Sequence, residues 1–156
     1  MKTYEVAPIA RELMNQHGLV QWTFQFDRAK RRAGLCQHRR QTISISVNYV
    51  HRNTIEDIKD TILHEIAHAL VGPGHGHNRT WKLMCVKIGA KPQRCCGEHV
   101  DMPKGHWQAL CKGCKKVFHK HRRPKYMTGT YCRKCGPVMG DLVWGHGTPK
   151  ELQTKP

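Results

Sequence analysis

The chain has 156 residues, with 27 Lys and Arg against 11 Asp and Glu, 12 His, 8 Cys and a formal net charge of +16. That length suits one domain, or one domain plus a small module, and 38% hydrophobic with 24% charged residues excludes a disordered chain. No run of about 18 apolar residues exists, and the mixed segment after Met1 is not a secretory signal. The expectation is a cytoplasmic, monomeric protein with no membrane contact. So basic a chain points to a polyanionic partner, nucleic acid first.

Residues 5–17 carry Val6, Ile9, Leu13 and Met14 at helical spacing, with Gly18 as a stop. Trp22, Phe24 and Phe26 then alternate with Thr23, Gln25 and Asp27, and Ile43, Ile45 and Val47 alternate with Thr42, Ser44 and Ser46. Period-two alternation predicts strands. With the basic turn 28–34 and a short stretch through Leu35 and Cys36 between them, they predict a small antiparallel sheet. Thr54, with Asp57 three residues on, signals the start of a helix running to about Val71 and ended by Gly72-Pro73-Gly74. Asn78 caps a further helix whose face carries Trp81, Met84 and Ile88. Composition then shifts. No acidic residue lies between Asp101 and Asp141, an interval that holds ten Lys and Arg. The expected organisation is a domain over 1–102, a module over 103–146 and a flexible tail over 147–156.

The central motif is His64-Glu65-Ile66-Ala67-His68. Helical positions i and i+4 lie one above the other, so two imidazoles can grip one ion from one side. Glu65 then projects beside them, placed to act as a general base. At about 100° per residue, Ile55, Ile58, Ile62, Leu63, Ile66, Ala67, Ala69 and Leu70 fill roughly half the wheel. His64 and His68 fall on the other half, near Asp57 and Thr61, with Glu65 at the border. A catalytic zinc takes three protein ligands and keeps one position open. The third should come from His77 or His75 in the turn Gly74-His75-Gly76-His77. Metzincin spacing is excluded, because Val71 and Gly74 occupy its glycine and third-ligand positions. His77, beside the Asn78 cap, is better fixed than His75. Glu98 is the outside candidate.

Cys111-x2-Cys114 and Cys132-x2-Cys135, separated by 17 residues, can place four thiolates around a structural Zn²⁺. Cys36, Cys85, Cys95 and Cys96 lack such pairing and read as small buried residues. A further metal site is conceivable only at Cys95-Cys96-Gly97-Glu98-His99. Around the paired cysteines cluster Lys112, Lys115, Lys116, Lys120, Arg122, Arg123, Lys125, Arg133 and Lys134, with Phe118, Tyr126 and Tyr131 interleaved. Cations neutralise phosphates and aromatics stack on bases, so this module is the expected nucleic-acid contact. Arg28, Lys30, Arg31, Arg32, Arg39 and Arg40 form a second basic cluster that can extend it.

Taken together, His64-Glu-Ile-Ala-His68, then Gly-His77 with Trp81 four residues beyond, then the two Cys-x2-Cys pairs, resemble the SprT-like (Spartan-related) zinc metalloproteases. The resemblance runs from the first helix to Trp144. It implies an α+β fold: a zincin-like domain of helices packed on a small antiparallel sheet, followed by a zinc ribbon. It selects His77 as third ligand and implies two zinc sites, one catalytic and one structural. The activity it implies is peptide hydrolysis on DNA-bound or crosslinked proteins, with DNA ahead of RNA as the nucleic acid. The chain stops soon after the ribbon, without the partner-recruiting tail of eukaryotic members. That implies a bacterial or phage source and a nucleoid location. The alternatives are a nucleic-acid-binding zinc protein with an inactive zincin-like part, and a plain zinc-ribbon adaptor holding one zinc.

Overall fold

The computed structural model describes residues 2–93 and 101–147. The chain divides into two compact units between Pro103 and Lys104. The Cys95–His99 cluster with Glu98, and residues 148–156 of the tail, lie outside the described residues.

Helix α1 (Thr3–Gln16) opens the first unit, with the Glu5 carboxylate accepting the Lys2 N–H at 2.7 Å. It begins two residues earlier than the periodicity indicates and buries Val6, Ala10 and Met14. Strands β1 (Thr23–Asp27), β2 (Gly34–Gln37) and β3 (Thr42–Ser46) form a sheet of order β1-β3-β2. The sheet is mixed rather than antiparallel: β2 runs antiparallel to β3, but β1 pairs with β3 in parallel. The short 3₁₀ turn His38–Arg40 folds β2 directly against β3, so β1 is left to pair on the other side of β3.

All of β3 is buried. Ile43 and Ile45 enter the core. Ser44 and Ser46 face the segment joining β1 to β2, donating to Asp27 Oδ2 at 2.7 Å and to the Ala29 carbonyl at 2.6 Å. Buried hydroxyls so paired escape the cost of an unmade hydrogen bond. The strand ends at Ser46; Val47, expected to continue it, instead begins the short helix α2 (Val47–Val50), which buries Tyr49 and Val50.

Helix α3 (Ile55–Val71) is the element on which the unit is built. The Thr54 side chain accepts the Asp57 N–H at 3.2 Å, and Gly72 ends the helix at φ +84°, a left-handed conformation that favours glycine. Ile58, Ile62 and Ile66 are fully buried against α1 and the sheet. Thr61 is also buried, donating to Tyr49 Oη at 2.8 Å, which in turn donates to the Asp57 carbonyl at 3.0 Å. Helix α4 (Arg79–Lys87), capped by Asn78, buries Trp81 and Cys85 in a second cluster with Ala67 and Ala90.

The second unit holds a three-stranded sheet of β4 (Trp107–Leu110), β5 (Val117–Lys120) and β8 (Gly145–His146). Beside it in sequence, β6 (Thr130–Tyr131) and β7 (Asp141–Leu142) pair around the single turn α5 (Gly136–Met139). Its core is Ala109, Cys111, Cys132, Leu142 and Trp144. No helix among the described residues is long and apolar enough to cross a membrane.

Because Ile62 is wholly enclosed, truncating it removes methylene contacts that the surroundings only partly recover. Ile62→Ala is expected to lower stability by about 2–5 kcal/mol in urea unfolding. A loss well under 1 kcal/mol would show that α3 is not seated as described.

Candidate metal centres and active site

The isoleucine face of α3 fixes how the helix is rotated, and the rotation turns His64 and His68 away from the core. The chain then reverses through 72–77 and re-enters helix at the Asn78 cap, which brings His77 back over α3. The Nε2 atom of His77 lies 3.1 Å from that of His64 and 3.2 Å from that of His68. Ligands about 2.05 Å from a tetrahedral zinc stand ~3.3 Å apart, so these three nitrogens are spaced as one ion would hold them.

Burial, then the neighbouring imidazoles, push His64 down to about 4; His68 falls to about 4 for the same reasons, chiefly burial and His77. At neutral pH both rings are therefore in the uncharged form that binds metal. The His75 carbonyl is hydrogen-bonded to the His68 ring. A carbonyl partner of this kind sets a ligand's tautomer and orientation. His75 itself points elsewhere, its Nδ1 lying 3.2 Å from Asn78 Nδ2. Trp81 floors the group. Its ring centroid is 4.6 Å from His64 and from His77, and it stacks on His68 at 5.2 Å. The four-residue step from His77 to Trp81 is visible in the sequence, but the packing of its ring against all three imidazoles is not.

Glu65, at the border of the helical wheel, is buried. Burial pushes its carboxyl up to about 8, against the opposing pull of Arg32 and the Cys36 N–H. Strand β2 lies against this side chain, with Gly34 beside it and the Cys36 N–H as a hydrogen-bond donor to it. Burial, and then Glu65, push the Cys36 thiol up to about 12, so it stays protonated and is no nucleophile. His38, just past β2, sits near enough to depress His68 further. Nothing in the periodicity marked β2 as the wall of the site.

In the second unit, Cys111, Cys114, Cys132 and Cys135 gather with their sulfurs within 4.8 Å of one another. Cys114 Sγ and Cys132 Sγ are 3.8 Å apart, the ~3.8 Å that Zn–S bonds of about 2.3 Å require. The Cys114 N–H, at 3.5 Å, pulls the Cys111 thiol down to about 7. Both donor sets are compatible with zinc, and among the described residues they are the two groups that could hold a metal ion. Cys85 is buried and Cys36 half-buried, neither paired with another cysteine.

All nine predicted cations of this unit, Lys112, Lys115, Lys116, Lys120, Arg122, Arg123, Lys125, Arg133 and Lys134, are exposed, as are Tyr126 and Tyr131. Several lie over aromatic rings: Lys120 is 4.5 Å from Trp144, Lys125 5.3 Å from Tyr126 and Arg123 5.8 Å from Trp107. In the first unit Arg28, Lys30, Arg31, Arg39 and Arg40 are exposed, whereas Arg32 is half-buried in a 2.7 Å ion pair with Asp27.

Compared with known protein families, residues 7–101 match the SprT-like family. The chain belongs to that family. The match spans both histidine-bearing segments, and the family is one of zincin-like metalloprotease domains, to which the histidine cluster is suited. No curated protein matches the chain.

Metal analysis tests the convergence directly. Wild-type SprT-like chain is expected to bind two zinc ions, and His77→Ala one, with the cysteine site retained. One zinc in both proteins would remove the histidine centre.

Proposed function

We propose that this chain is a zinc metallopeptidase that cleaves proteins held on nucleic acid, DNA in preference to RNA. The observation that carries the reading is the meeting of three imidazoles, with His77 Nε2 3.1 Å from that of His64 and 3.2 Å from that of His68, beside the enclosed carboxylate of Glu65 on α3. A structural site needs no such carboxylate. His64, His68 and His77 would hold zinc, which when bound supplies Lewis-acid activation of water and of a peptide carbonyl.

The chain's own part in the reaction falls to Glu65. Its Oε atoms accept the proton of the attacking water and deliver it to the leaving amine nitrogen. Enclosure keeps bulk water from this side chain, while Arg32 and the Cys36 N–H favour the anionic form that a general base needs. Strand β2, at the edge of its sheet and against α3, offers backbone groups to an extended substrate. Pairing through backbone implies weak sequence preference. Glu65→Gln is expected to keep both zincs while peptidase turnover falls by about 10²–10⁴-fold. Unchanged turnover in that variant would end the mechanism.

The second unit would supply the nucleic-acid contact. Its nine exposed cations suit phosphates, and the exposed rings of Tyr126 and Tyr131 suit stacking on unpaired bases. Binding should weaken steeply with salt, by a log–log slope of about −0.7 for each phosphate neutralised on a single strand. Replacing Arg122, Arg123 and Lys125 together by Ala should lower both affinity and slope. Affinity indifferent to salt would count against the interface.

A further inference from the structure

We propose that Gly34 is a positioning residue for Glu65: the missing side chain on β2 is the seat of the carboxylate. The inference rests on the peptidase reading for its importance, but the contact itself is independent of it. A Cβ built on Gly34 would stand 2.7 Å from Glu65 Oε1, 2.8 Å from Cγ and 3.0 Å from Cδ. Carbon and oxygen do not approach so closely without one of them moving. The three nearest atoms all belong to the outer part of one side chain.

No backbone requirement explains the glycine. Gly34 is not among the glycines with positive φ, so any L-residue fits its conformation. Register explains the direction in which it faces. Gly34 pairs with Ile45 and Cys36 with Ile43, and cross-strand partners share a face of the sheet. Ile43 and Ile45 point into the core shared with α3, so the absent Cβ of Gly34 points the same way.

The strand cannot retreat to make room. It is laddered to β3, and immediately before it the Ala33 carbonyl accepts the Ser46 N–H at 2.8 Å. The approach to β2 is tied as well, through Arg32 to Asp27 at 2.7 Å and the Ala29 N–H to the same carboxylate at 2.8 Å. The Glu65 side chain, flexible at its far end, is what gives way. Gly34→Ala therefore redirects the carboxylate while leaving the fold intact. Displacing a reacting group by about 1 Å costs on the order of 100-fold in rate.

The test is a double-mutant cycle read by stability, with zinc content and kinetics beside it. Wild type, Gly34→Ala, Glu65→Ala and the double variant are compared by Tm, and the first two also by zinc content, kcat and KM. Expected is a lower Tm for Gly34→Ala in the wild-type background and no lowering in the Glu65→Ala background, where the opposing atoms are gone. Peptidase kcat should fall about 100-fold with KM within about twofold and both zincs bound. The same Tm change in both backgrounds, or kcat within about twofold of wild type, overturns the proposal. If Gly34→Ala does not fold, folding of the double variant supports the seat and its failure to fold overturns it. A wild-type protein with no peptidase activity removes the functional reading alone, and the Tm cycle then decides the contact.

Discussion

The rotational setting of α3 is the constraint on which both the core and the site depend. Ile58, Ile62 and Ile66 lie wholly inside, against α1 and the sheet, and each contributes roughly 1.5–3 kcal/mol by leaving water. Turning the helix by the ~100° that separates adjacent residues would expose this row and bury the histidines instead. The apolar face is thus also what aims His64 and His68. Glu65 sits between the two regimes, adjacent to a ligand on one side and to the core row on the other. Its burial follows from that position.

Closing the histidine set requires a chain reversal, which is bounded by two local devices. Gly72 stops α3 in a conformation that costs other residues, and Asn78 starts α4 by accepting the Trp81 N–H at 3.1 Å. A loop this short has little closure entropy to lose. The helix it begins carries Trp81, whose ring packs against all three imidazoles. Cap, third histidine and floor therefore lie within five consecutive residues, 77–81. Packing of one on another restricts the ring rotations that would otherwise scatter the ligand atoms.

Features set by neighbours in sequence were legible before any coordinates. The Thr54 and Asn78 caps, the Gly72 stop and the pairing of His64 with His68 follow from spacing of a few residues, and the two Cys-x2-Cys pairs mark the four cysteines that gather. What could not be read was set across the fold. The alternation of β1 and β3 says which side is apolar but not which way the strands run, so their parallel pairing is not legible in it. Val47 continues that alternation, yet helix α2 claims it once Tyr49 and Val50 reach the core. The helical wheel puts Thr61 on the outer half of α3, yet it is buried, its hydroxyl donating to Tyr49. The same alternation does not show that the segment from Asp27 covers Ser44 and Ser46 on the side away from the isoleucines. Gly34 lay in a basic turn with no mark to separate it from an ordinary loop glycine.

That glycine connects the sheet to the chemistry. A carboxylate meant to act as a base needs both a direction and an affinity for protons, and β2 influences each. Enclosure against the strand removes water and raises the affinity for a proton. Arg32 and the Cys36 N–H act in the opposite sense, favouring the anion. These two groups flank Gly34 at distances of two residues along the chain, one before and one after. The four-residue strand, laddered to β3, and the turn that leads into it, tied through Asp27, thus hold the steric seat and both groups that favour the anion. Basicity and aim are coupled because the same backbone supplies them: a strand moved outward would wet the carboxylate, lower its proton affinity and release its direction together.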